Sequence, residues 1–129
     1  MTIIVGFVPT PEGRAALAHA VQEASLRRAR LVVLNSSRGD AVVDEHYAQE
    51  PDLAKARAAV EKADLVWELR QPVRGLDAAD EVVSAAAEYD ADLIVIGMRR
   101  RSPVGKLFLG SESQRILLNA DCPVVAVKA

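Results

Sequence analysis

Between Gly97 and Ser113 the sequence gathers glycines, serines and a cluster of cations, the residue types that hold a phosphate group. It reads Gly97-Met98-Arg99-Arg100-Arg101-Ser102-Pro103-Val104-Gly105-Lys106, then Leu107-Phe108-Leu109-Gly110-Ser111-Glu112-Ser113. Glycine at 97 and 110 lets a ligand approach the backbone closely. Ser111 and Ser113 fall where a helix begins, so hydroxyls, unpaired N–H groups and the positive end of the helix dipole converge on one place. Arg99 and Arg100 offer forked guanidinium donors that match phosphate oxygens. The same residues also have a ligand-free reading. Ser111-Glu112-Ser113-Gln114 is a capping box with Ser111 as N-cap, Glu112 would repel a neighbouring phosphate, and an arginine run is what a solvated loop looks like. Local chemistry leaves both readings open.

Other chemistries find little support. The single cysteine, Cys122, excludes an internal disulfide framework and any CxxC redox or zinc pattern. It reads as a small buried apolar residue at the entrance to a strand. His19 lies on an expected helix and His46 in a polar segment; neither has a metal-ligand or nucleophile partner at useful spacing, and both read as surface residues. No metal site and no catalytic residue is expected. Gly105-Lys106 is followed by Leu107, so no Walker-type phosphate loop is present.

The elements that must position the loop follow from the pattern. With 129 residues, half of them hydrophobic and 26% charged, the chain is expected to be one soluble domain over residues 1–129. Short apolar runs alternate with helical periodicity, which predicts a parallel sheet covered on both faces. The strands are expected at Thr2–Val8, Arg30–Asn35, Leu65–Leu69, Asp92–Ile96 (ending at Gly97) and Pro123–Val127. The alternating third strand reads as an edge. Thr10-Pro11-Glu12 opens the first helix, with Thr10 as N-cap. Pro51 restarts a second helix, Asp77 caps a third, and a short fourth runs from about Glu112 to Asn119. Ser36–Glu50 reads as a loop. Near-obligatory right-handed crossovers make a doubly wound sheet the natural closure, with its crevice at the carboxyl ends of the strands. Loops at Val8–Thr10, Ser36 onward and Gly97 onward open there.

A net charge of −2 supplies no global field for nucleic acid or an anionic membrane, so neither is expected as a partner. No apolar run approaches the ~20 residues a bilayer requires, and the start of the chain reads as a strand rather than a signal peptide. A cytoplasmic location is the expectation.

The chain resembles the universal stress protein family. Its nucleotide-binding signature is glycine, two residues, glycine, nine residues, then glycine and a serine or threonine. Gly97 matches the first position and Gly110-Ser111 the last two. Ala91–Gly97, Ser102–Lys106 and Cys122–Val127 are similarly characteristic, and the likeness covers essentially the whole chain. The resemblance implies an α/β fold with a five-stranded parallel sheet in the order 3-2-1-4-5. It also implies a homodimer joined through the Pro123–Lys128 strand and ATP or AMP as ligand. Phosphates would lie on Gly97, Gly110, Ser111 and Ser113, near Arg99 and Arg100. The adenosine would lie near the ends of strands one and two, at Val8, Pro9 and Ser36. Two positions depart from the pattern. Arg100 replaces the middle glycine, and either closes the backbone to phosphate or supplies a guanidinium in its place. Val8 stands where nucleotide-binding members usually carry an aspartate beside the adenosine; Val8 and Pro9 also exclude the acidic magnesium site of a receiver domain.

The resemblance thus points to a stress-response regulator that binds an adenine nucleotide. A nucleotide-free dimeric interaction protein of the same fold is the alternative that Arg100 and Val8 favour. A slow ATPase is the third, with Glu112 the only carboxylate near the loop to serve as a base.

Overall fold

The computed structural model describes residues 1–35, 48–72, 77–101, 106–108 and 110–129, with 99–101 and 106–108 described by their backbone. In chain order the elements are β1 (Thr2–Gly6), α1 (Pro11–Arg27), β2 (Arg30–Leu34), α2 (Glu50–Glu61) and β3 (Trp67–Arg70). They continue with α3 (Ala78–Glu88), β4 (Leu93–Arg101), β5 (Lys106–Phe108), α4 (Ser111–Asn119) and β6 (Val124–Lys128).

The apolar runs become the five parallel strands, ordered β3-β2-β1-β4-β6, which is the expected 3-2-1-4-5 in the sequence count of parallel strands. Winding reverses between β1 and β4, whose register runs from Ile3↔Leu93 to Val5↔Val95. One feature departs from the expectation. The fourth strand does not end at Gly97 but continues to Arg101, because Lys106–Phe108 folds back as a short antiparallel partner: Arg99 pairs with Phe108, Arg100 with Leu107 and Arg101 with Lys106.

Strand residues alternate between two cores, as a sheet covered on both faces requires. Ile3, Val5, Leu31, Val33, Leu93 and Val95 bury against Ala16, Leu17, Ala20 and Ala24 of α1 and Leu53, Ala56 and Val60 of α2. Ile4, Val32, Leu34, Ile94 and Ile96 bury against Ala79, Val82, Ala85 and Ala86 of α3 and Ile116 of α4. The stripe of alanines on α1 lets that helix lie close to the sheet. It enters as expected, with the Thr10 hydroxyl accepting from the Gly13 N–H at 3.1 Å and proline in its first turn. It leaves through Arg28 in the left-handed region at φ 52°. Among the described residues, no helix is long and apolar enough to cross a membrane.

Candidate functional site

Helix α4 begins at the carboxyl end of the sheet, and its first turn is built differently from the expected capping box. Gly110 is the N-cap, with φ −63° and extended backbone, and being glycine it supplies no side-chain cap. Ser111 is therefore the first helical residue rather than the cap, and Gln114 donates its backbone N–H to the Gly110 carbonyl at 2.9 Å. A helix cannot satisfy its own first N–H groups. Those of Ser111, Glu112 and Ser113 thus stand at the positive end of the helix dipole, beside two hydroxyls.

Glu112 does not turn back on its own helix. Its Oε2 accepts from the backbone N–H of Ala79 at 2.7 Å, in the first turn of α3. Asp77 holds the N-cap position of α3, as expected, but its side chain makes no capping bond there. The Asp77 carboxylate instead accepts from Arg115 Nη1 at 2.7 Å, while Asp80 accepts from Arg115 Nη2 at 2.7 Å. Arg115 Nη1 also lies 3.8 Å from Glu112 Oε1. Hydrogen bonding to Asp77, and then to Asp80, raises the Arg115 pKa above its ordinary value. The cap of α3 is thus supplied from α4, and the two helix starts are joined by one cation and three carboxylates. Sequence reasoning missed this, because the partners lie more than thirty residues apart.

The ends of β1, β2 and β3 meet at a second unforeseen residue. Asn35 is fully buried. Its Nδ2 donates to the Phe7 carbonyl at 2.9 Å, and its Oδ1 accepts from the Ala48 N–H at 2.8 Å and from Gln71 Nε2 at 3.0 Å. Its backbone N–H donates to the Arg70 carbonyl at 2.9 Å. A buried amide with several hydrogen bonds is rigidly placed, so Asn35 ties three strand ends and the approach to α2 together. The available signal was an asparagine closing an otherwise apolar strand.

Gly97 has a packing reason to be glycine. A Cβ there would stand 2.3 Å from the Glu12 carbonyl oxygen, so β4 passes directly beneath the first turn of α1. Gly13 is under the same constraint, with the Val8 carbonyl oxygen 1.8 Å from a Cβ built on it. Val8 and Pro9 form a tight, half-buried bend in which Thr10 N–H donates to the Val8 carbonyl at 2.8 Å.

Val8 and Pro9, Gly97, and the α4 turn from Gly110 to Ser113 therefore share the carboxyl edge of β1 and β4, where the winding reverses. Arg99 and Arg100 lie beyond Gly97 on the paired extension of β4. Ser36 and the Ser102–Gly105 part of the loop lie outside the described residues, as does His46. His19 sits on α1, 3.6 Å from Glu23. Cys122 is half-buried rather than buried, and burial pushes its thiol pKa up. No group of three or more His, Cys, Asp or Glu that would hold a metal is found among the described residues.

The model of the universal stress protein family matches residues 1–128. A universal stress protein of Mycolicibacterium smegmatis is 45% identical over 126 residues, covering 98% of this chain and 96% of the relative. Among solved structures, a universal stress protein from Archaeoglobus fulgidus superposes with a TM-score of 0.82 at 32% identity, covering 98% of this chain and 97% of that one. Another from the same organism, in complex with dAMP, gives 0.73 at 25% identity, covering 98% and 96%.

Proposed function

Since the chain belongs to the universal stress protein family, we propose that it is an adenine-nucleotide-binding stress regulator that acts as a homodimer in the cytoplasm. The observation that carries this reading is the first turn of α4. Its first N–H groups open at the carboxyl edge of the sheet, Ser111 and Ser113 belong to the same turn, and the one acid of that turn, Glu112, is bonded to Ala79 of α3. Phosphates of ATP or AMP would rest on this turn and on Gly97 and Gly110, with Arg99 and Arg100 as cationic donors. The nucleoside would lie against Val8, Pro9 and Ser36, with the apolar Val8 in place of an aspartate. A family relative in complex with dAMP supports the ligand class.

Arg100 is assigned here as a phosphate clamp. Its backbone is paired with Leu107 in a regular ladder, a conformation that any residue adopts, so nothing in the backbone calls for glycine. The homodimer reading rests on β6, which pairs with β4 and ends the parallel sheet among the described strands, offering half-buried Val124, Val125 and Val127 at an edge.

No catalytic step is assigned. The carboxylate that a slow ATPase would use as its base is engaged with α3, so turnover would require it to leave that cap. Val8 favours the second reading, a nucleotide-free dimeric interaction protein, because it offers the ribose no polar contact. Equilibrium dialysis with ATP and AMP separates the two. Saturable binding at millimolar ligand or below is expected, and its absence removes the nucleotide reading. Arg100→Gly should weaken ATP binding by about 1–3 kcal/mol, the scale of a charged hydrogen bond; tighter binding would show that the arginine obstructs the site. Sedimentation should find a dimer that Val125→Lys dissociates.

A further inference from the structure

The three carboxylates joined to Arg115 lie next to the turn assigned to phosphate. Arg115 follows Ser111 by four residues, about 6 Å along the helix axis. Its guanidinium lies 2.7 Å from the carboxylates of both Asp77 and Asp80 and 3.8 Å from that of Glu112. Removing this cation makes the carboxylate cluster more negative by one charge where a polyanion would arrive. The side chain of Arg115 is only 38% exposed, so its neutralising effect is not fully replaced by water and salt.

We propose that Arg115 is a specificity-determining residue: by offsetting one charge of the Asp77–Asp80–Glu112 cluster, it sets how strongly the site prefers ligands of higher phosphate charge. This rests on the nucleotide reading above. Arg115 touches no phosphate in this assignment. It acts through the carboxylates and, by holding Glu112 near Ala79, through the placement of the α4 turn. The effect therefore scales with ligand charge, whereas loss of shape at the turn would not. At about 10 Å in water, one unit charge alters the affinity of another by roughly twofold. ATP carries roughly twice the charge of AMP, and adenosine carries none.

The test is binding of adenosine, AMP and ATP to the full chain by calorimetry at low and high salt, for wild type, Arg115→Met and Asp80→Asn. In Arg115→Met, adenosine affinity should be unchanged, AMP should weaken about fourfold and ATP about tenfold or more, with the differences shrinking as salt is added. Asp80→Asn keeps an acceptor for Arg115 while removing one charge, so ATP should tighten about tenfold, AMP about fourfold, and adenosine stay the same. Equal losses for all three ligands in Arg115→Met, or no tightening of ATP in Asp80→Asn, would overturn the proposal. Wild-type binding with unchanged ratios in both variants removes this inference alone; wild type that binds none of the three removes the nucleotide reading with it. Should Arg115→Met fail to fold, Asp80→Asn decides by its sign.

Discussion

The carboxylate of Glu112 caps a helix to which it does not belong: its Oε2 accepts the Ala79 N–H at 2.7 Å, in the position an N-cap side chain of α3 would take. Glu112→Ala should therefore destabilise the protein by about 0.5–2 kcal/mol, as loss of an N-cap does. The urea midpoint should fall while the slope stays constant. Glu112→Gln retains an acceptor and should recover most of the loss. An alanine variant with an unchanged midpoint would show that α3 does not depend on this bond.

Asn35 should be among the least replaceable polar residues. In Asn35→Leu, the Phe7 carbonyl and the Ala48 N–H lose the amide that bonds them in a dry environment, at about 1–3 kcal/mol for each buried group left unsatisfied. The loss should appear in equilibrium unfolding, and hydrogen exchange at Ala48 should speed up. Wild-type protection at Ala48 would contradict the role given to this amide.

Gly13 offers a test in which two physical effects have opposite signs. Glycine inside a helix costs about 1 kcal/mol relative to alanine, so propensity alone says that Gly13→Ala should stabilise α1. The Val8 carbonyl 1.8 Å from the new Cβ says the reverse. Overpacking costs about 1–3 kcal/mol, and the obstacle is backbone, so a net drop in melting temperature is expected. Gly97→Ala should behave likewise against Glu12. A more stable Gly13→Ala would mean that the bend at Val8 yields readily.

Burial raises the Cys122 thiol above its ordinary value of 9.0, and the nearby charges of Asp92 and Asp121 add to the rise. The unfolded chain then ionises first as pH increases. The contribution to stability is intact below pH 9.0 and is lost as pH climbs through the raised folded value. Iodoacetamide should accordingly label the native protein with a pH profile displaced to the alkaline side of that in denaturant. A native profile displaced the other way would refute the assignment.

Four of the parallel strands were legible because each is a compact apolar run, as in Leu31–Leu34 or Leu93–Ile96; the third was legible only as an alternating edge, and it forms at Trp67–Arg70 rather than Leu65–Leu69. The start of α1 was legible in Thr10 and Pro11. The extension of β4 was not: Arg99–Arg101 looks like solvated loop, and only the return of Lys106–Phe108 supplies a ladder to hold it. Glu112 and Asn35 were missed for a related reason. Their roles are defined by partners 33 and 28 residues away, and no local spacing encodes a contact of that range. Of the candidate site, Gly97 and the α4 turn were read from spacing, but their local causes, a packed carbonyl and a borrowed cap, required the assembled fold.

The longest strand behaves as a cantilever. β4 is gripped by β1 only as far as Val95 and by β6 as far as Met98, while Arg99–Arg101 reaches past both with β5 alongside. Six residues thus overhang the β1 grip, about 20 Å of chain at strand rise. A load at the tip bends the beam where its second support ends, at Gly97 and Met98, and those residues are bonded in register to Val127 and Lys128. Whatever seizes the arginine arm pulls on the outer edge of the sheet.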